Sequence, residues 1–137
     1  MLIINIDGAS RGNPGLSGIG IVVTKVNLKI VEYKEFIGEK TNNQAEYAAL
    51  KKALQIASTL DNEITILSDS ELVVSQRNNR YKVRNKQLKM ISREISNLET
   101  SFKTVIYKHI SREKNGSADL LANQAIDENN KYQNSIN

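Results

Sequence analysis

A chain of 137 residues, 39% hydrophobic and 25% charged, has the size and composition of one globular domain. It has no Cys and one His, His109, which excludes a disulfide framework, a thiolate metal site, a Cys nucleophile and a His-rich zinc centre. The formal net charge of +4 is uneven: Arg77 to Lys114 holds eleven Lys/Arg against Glu94, Glu99 and Glu113, the footprint of a phosphate-backbone binder or a solvated basic face.

The opening apolar run, Leu2-Ile3-Ile4, is too short for a signal peptide or a membrane span, so an intracellular protein with no membrane partner is expected. Leu2 to Ile6 reads as a short strand entering a glycine-rich loop, Asp7-Gly-Ala-Ser-Arg-Gly-Asn-Pro-Gly15. Gly18 to Val26 and Lys29 to Ile37 read as a hairpin turning near Asn27. Thr41-Asn42-Asn43 offers cap chemistry for a helix to about Ser58, with Ala45, Ala48, Ala49, Ala53, Ile56 and Ala57 on one face. Glu63 to Leu67 has a buried-strand pattern, and Ser68-Asp69-Ser70 can cap a short helix carrying Leu72 and Val73. Leu88, Ile91, Ile95 and Leu98 mark a further helix, Phe102 to Ile110 a last strand, and Asn115 to about Asp127 a last helix. The polar residues 128–137 read as a frayed tail after a domain of residues 1–127. Hairpin strands followed by βαβ crossovers imply a mixed α/β sheet with helices on its faces.

Four acids stand where charge is awkward. Asp7 ends an apolar strand, Glu46 falls in the first turn of the alanine-rich helix, Asp69 follows a buried strand, and Asp119 sits between Ala118 and Leu120. A buried carboxylate needs hydrogen bonds, a cation or a metal. Each has a plainer reading: Asp69 as an N-cap, and Glu46 and Asp119 as acids at a positive helix end. If the four converge, they form an all-oxygen site suited to Mg²⁺ or Mn²⁺. Two such ions ~3.5–4 Å apart can clamp the attacking and leaving oxygens of a phosphodiester displacement.

Asp7-Gly-Ala-Ser-Arg-Gly-Asn-Pro-Gly15, Thr41-Asn-Asn-Gln-Ala-Glu46, Ser68-Asp-Ser70 and Asn115-Gly-Ser-Ala-Asp-Leu-Leu-Ala122 resemble, in order and spacing, the four motifs of type 1 ribonuclease H. The resemblance spans about Met1 to Asp127. It implies a five-stranded ribonuclease H-like mixed sheet with helices on both faces. It further implies that Asp7, Glu46, Asp69 and Asp119 hold two Mg²⁺ ions, with Mn²⁺ as a substitute. Asn13 and Thr41 match positions that grip a phosphate of the DNA strand. Asn42, Asn43 and Gln44 match the loop in the minor groove near the RNA 2′-hydroxyls, the group that distinguishes RNA from DNA.

Two departures from the family pattern stand out. The long basic helix that grips DNA in many members is missing, because Arg77 to Lys86 is short and carries Tyr81 but no Trp. An ungapped alignment on Asp119 puts His109 at the position of the family's flexible-loop histidine, but His109 falls in the apparent last strand and reads more readily as a half-buried strand histidine. An archaeal-like short form has arginine at that position, and Arg112 fits it. The implied activity is cleavage of the RNA strand of RNA–DNA hybrids to 3′-hydroxyl and 5′-phosphate ends by a cytoplasmic monomer, with double-stranded RNA a further substrate of archaeal-like members. A non-catalytic hybrid-binding module would not need four clustered acids. A nucleotide phosphotransferase would need a second lobe for which 137 residues leave no room.

Overall fold

The computed structural model describes residues 1–136, with side chains through Lys131. Strands β1 (Leu2–Gly12), β2 (Gly15–Lys25), β3 (Leu28–Lys40), β4 (Glu63–Ser68) and β5 (Thr104–His109) form one sheet in the order β3-β2-β1-β4-β5. β2 pairs antiparallel with β1 and β3, whereas β4 runs parallel to both β1 and β5. The mixed five-stranded sheet is thus present as expected. Direction reverses at β1, the kind of switch point beside which sites form in α/β sheets.

Helix α1 (Asn42–Ala57) packs on β1 and β2 and against α3 (Lys86–Glu99), and α4 (Gly116–Ile136) lies on β1, β2 and β3. A short α2 (Glu71–Arg77) leaves β4. Side chains alternate across a strand. Leu2, Ile4 and Ile6 of β1 therefore bury on the α1 side, where they join Leu50, Ala53, Leu54, Ile64 and Ile66 in the main core. Ala118, Leu121, Ala122 and Ala125 make the thinner layer beneath α4.

Local chemistry sets the element ends. Thr41 and Gln44 form a reciprocal capping box at α1, and Ser70 caps α2 by accepting from the Val73 N–H. Val26 and Asn27 both take positive φ, the geometry of a two-residue hairpin turn.

Several boundaries differ from expectation; both hairpin strands are longer, since β2 begins at Gly15 and β3 runs to Lys40. The glycine-rich segment after Asp7 is not a loop: β1 continues to Gly12, pairing residue by residue with β2 as far as Gly12↔Gly15. A side chain at Gly8 would collide with the Ala45 backbone, so this glycine is required for close passage beneath α1. The last helix does not end near Asp127 but runs to Ile136. No Gly or Pro interrupts residues 128–136, and Glu128 is tied to Lys34 of β3 at 2.6 Å. β5 is shorter than Phe102–Ile110, because its parallel register with β4 spans Thr104 to His109.

Candidate active site

The sheet brings the acids together by register. Ile6 of β1 stands opposite Ser68 of β4, so Asp69, one residue on, lies beside Asp7. Across the antiparallel ladder Asp7 faces Gly20. A Cβ at Gly20 would strike the Ala118 carbonyl, so the bare glycine lets α4 approach and carry Asp119 to the cleft. Glu46 reaches in from α1, where its carboxylate accepts the Gly8 N–H at 2.5 Å. It lies five residues beyond the Thr41 cap, in the second turn rather than the first, so attraction to the helix end does not explain it. Nor is Asp69 the cap of α2, since Ser70 fills that role.

Asp7, Glu46 and Asp69 each offer an oxygen within 4.8 Å of the others, and Asp7 and Glu46 are only 5% and 8% exposed. Burial, then the charge of Glu46, holds the Asp7 carboxyl well above the usual carboxylate range, with Asp69 adding to the shift. Burial also raises Glu46, opposed by hydrogen bonds from the Asp7 carboxyl and the Gly8 N–H. Asp7 and Glu46, this close and this buried, cannot both ionise without a cation. The donor set is oxygen only, which fits a hard divalent metal.

Asp119 is not part of this tight trio. It lines the same cleft, of about 550 Å³, with Asn42, Asn43, Arg112 and Asn123. Arg112 begins a short 3-10 turn, Arg112–Asn115, and its guanidinium stands 4.0 Å from Asp119 Oδ1 with the side chain 83% exposed. A smaller adjoining pocket of about 220 Å³ is lined by Asn13, Thr41, Asn43 and Gln44. Asn13 Oδ1 accepts the Asn42 N–H at 3.1 Å, which ties the β1–β2 turn to the start of α1. Every candidate residue named from the sequence therefore falls in one of two neighbouring hollows. His109 is in β5 as expected, but exposed rather than half-buried, with Nε2 3.3 Å from the Asp69 carbonyl oxygen.

Several neighbours were not legible in the sequence. Asn115, 1% exposed, donates to the Ile6 carbonyl at 2.8 Å and to Asp69 Oδ2 at 3.3 Å, and accepts from Asn5 at 3.1 Å. This buried amide is satisfied on both ends and ties α4's approach to β1 and Asp69. Its signal was a polar residue one helical turn before Asp119. Arg11 and Asn123 line the main cleft, and Asn85 and Gln87 the smaller pocket. Asn85 reads locally only as the cap of α3, a duty it does perform.

A family model described as reverse transcriptase-like matches residues 5–125. The bifunctional protein Rv2228c of Mycobacterium tuberculosis is 40% identical over 132 residues, 92% of this chain but 35% of that protein. The chain thus spans about a third of the length of the first curated relatives it matches. Ribonuclease HI of Halobacterium salinarum is 39% identical over 124 residues, 89% of this chain and 62% of that one. Among solved structures, LC11-RNase H1 in complex with an RNA/DNA hybrid superposes with a TM-score of 0.89 at 40% identity, covering 93% of this chain and 98% of that one. Residues 78–85 between α2 and α3 contain no helix, so the long basic helix is indeed missing. Motifs, sheet order and relatives agree that this chain belongs to the type 1 ribonuclease H family, in a short form without the basic handle.

Proposed function

We propose that this protein is a divalent-metal-dependent endoribonuclease that hydrolyses the RNA strand of RNA–DNA hybrids, leaving 3′-hydroxyl and 5′-phosphate ends. The observation that carries the reading is the tight trio Asp7, Glu46 and Asp69, two of them buried, with Asp119 at its edge, in a cleft beside an amide-lined pocket. Asp7, Glu46, Asp69 and Asp119 would hold the metal, Mg²⁺ with Mn²⁺ as a substitute. When bound as a pair, such ions supply an activated water and neutralise the attacking and leaving oxygens of an in-line displacement.

The chain's own residues do the rest. Asn13 and Thr41 would hold a phosphate of the DNA strand in the smaller pocket, which sets the register of the hybrid over the cleft. Asn42 and Asn43, at the start of α1, present amides that can both donate to and accept from the RNA 2′-hydroxyl. Gln44 accepts the Thr41 N–H and donates to Gln87, so it would reach the hybrid only by giving up one of these bonds. Arg112 stands at the rim as a permanent cation for a phosphate near the scissile bond. Residues 1–127 form the hydrolytic domain in this reading. No helix among the described residues is long and apolar enough to cross a membrane. A cytoplasmic monomer acting on nucleic acid is part of the same proposal.

The test is a strand-labelled RNA–DNA hybrid incubated with Mg²⁺, with EDTA, and with Asp7→Asn protein. Loss of the RNA strand only with metal, and only with Asp7 intact, is the expected result. Binding without cleavage under both Mg²⁺ and Mn²⁺ would leave the non-catalytic hybrid-binding module as the better account. A labelled RNA duplex in the same assay decides whether double-stranded RNA is a second substrate.

A further inference from the structure

Asp119 stands apart from the other three acids: its side chain is 32% exposed and its oxygens lie outside the tight trio. Its position is nonetheless held. One turn later on α4, Asn123 Nδ2 donates to the Asp119 carbonyl oxygen at 3.0 Å and to Asp119 Oδ1 at 3.3 Å. Asparagine is a poor helix former, so α4 gains nothing in propensity from Asn123 in its interior. On the other side of that amide, Arg11 Nη2 reaches Asn123 Oδ1 at 3.3 Å and the Asn123 carbonyl at 3.4 Å. Arg11 Nη1 is anchored on Asp127 Oδ1 at 2.7 Å.

The order of this chain has a chemical consequence. A guanidinium can only donate, so Arg11 fixes the Asn123 amide with its oxygen toward β1 and its NH₂ toward Asp119. That NH₂ group can only donate, so it holds Asp119 Oδ1 as an acceptor beside Asp7. Arg11 stands on β1 four residues after Asp7, so the same strand that supplies the central carboxylate also aims the outlying one.

We infer that Asn123, oriented by Arg11, is a positioning residue that presets Asp119 for the divalent metal. The inference rests on the proposed carboxylate assignment and adds to it two residues that the four motifs leave without a role there. Outer-shell partners of this kind govern how well a ligand is poised rather than the chemistry itself.

The experiment is calorimetric titration of Mn²⁺ into the metal-free full chain, without substrate, for wild type, Asn123→Ala, Arg11→Ala, the double variant and Asp119→Asn. Asn123→Ala is expected to weaken Mn²⁺ binding on the order of tenfold. The metal concentration for half-maximal hybrid cleavage should rise in step, with kcat at saturating metal falling less. Arg11→Ala should shift both readouts the same way by a smaller factor, and the double variant should be no worse than Asn123→Ala, because the two act in series. Thermal melts confirm that each variant is folded. An unchanged Mn²⁺ isotherm in Asn123→Ala overturns the inference, whatever happens to the melting temperature. If Asp119→Asn still weakens binding, only the positioning role has failed. If Asp119→Asn is also without effect, the carboxylate assignment itself has failed.

Discussion

Asp7 and Glu46 are buried acids whose pKa values burial pushes upward, so their proton binding differs between the folded and unfolded chain. Unfolded carboxylates titrate near about 4. The folded, metal-free protein therefore holds protons that the unfolded chain has already released, and its stability must fall as pH rises above that value. We expect the melting temperature of the metal-free protein to drop between about pH 5 and pH 8, the window above the unfolded value. Added Mg²⁺ should restore more stability at the upper end, and Asp7→Asn should flatten the profile while abolishing cleavage. A metal-free profile unchanged by Asp7→Asn would contradict this account. Val26 is a second residue with a readable penalty. It is a β-branched residue at φ 52°, 84% exposed, in a turn suited to Asn or Gly. Val26→Asn should stabilise the protein by about 1 kcal/mol, seen as a higher urea midpoint with an unchanged slope.

At the level of elements, the close contact of α4 with β2 decides where Asp119 goes. Gly20→Ala would press a methyl group into the Ala118 carbonyl and lift the helix. It should cost on the order of 1–3 kcal/mol and weaken Mn²⁺ binding as well, since Asp119 rides on the displaced helix. Gly116 is the contrast. It has helical dihedrals, φ −59° and ψ −36°, and nothing near the site of an added Cβ. Gly116→Ala should be neutral or stabilise by up to about 1 kcal/mol and leave metal binding alone. Melting curves paired with Mn²⁺ titrations separate the two glycines, and equal effects would refute the proposed geometry. Gly20 lies on β2 beneath α4 and Gly116 at the open start of α4, a difference of packing that the glycine pattern along the chain does not disclose.

At the scale of the whole molecule, the charge is segregated. Arg80, Lys82, Arg84, Lys86, Lys89 and Arg93 lie on the α2–α3 connection and on α3, all exposed and without an ion pair among the described residues. Lys51–Glu94 and Arg77–Glu99 instead tie α3 to its neighbours. The carboxylate cleft sits at the other extreme of sign. In the proposed function, long-range attraction of a hybrid would fall to the basic loop and helix, and short-range contact near the acids would require a cation. Hybrid binding by the Asp7→Asn protein should weaken roughly fortyfold or more between 50 and 200 mM salt if three or more phosphates are neutralised. Fluorescence anisotropy across that range checks this, and a flat response would deny the basic surface a role.

From the sequence alone the elements were legible wherever period and cap coincided. Thr41 with Gln44, the alanine face of α1 and the stripe of α3 each marked one element and one orientation. The four acids were legible because charge amid apolar or cap residues has few physical reasons to exist. The length of β1 was not, because Gly8, Gly12 and Gly15 suggest a loop until the helix passing over Gly8 is known. The end of α4 was misread for a related reason: its polar residues beyond Asp127 find support in Lys34, ninety-four residues earlier. Asn115, Asn123 and Arg11 have their meaning only in three dimensions, since hydrogen bonds between β1, β4 and α4 leave no periodic trace. Local chemistry along the chain thus determined which residues could carry the reaction. Only the sheet register and the glycine-permitted approach of α4 decided that they meet in one cleft, because convergence of charges distant in sequence is a property of packing.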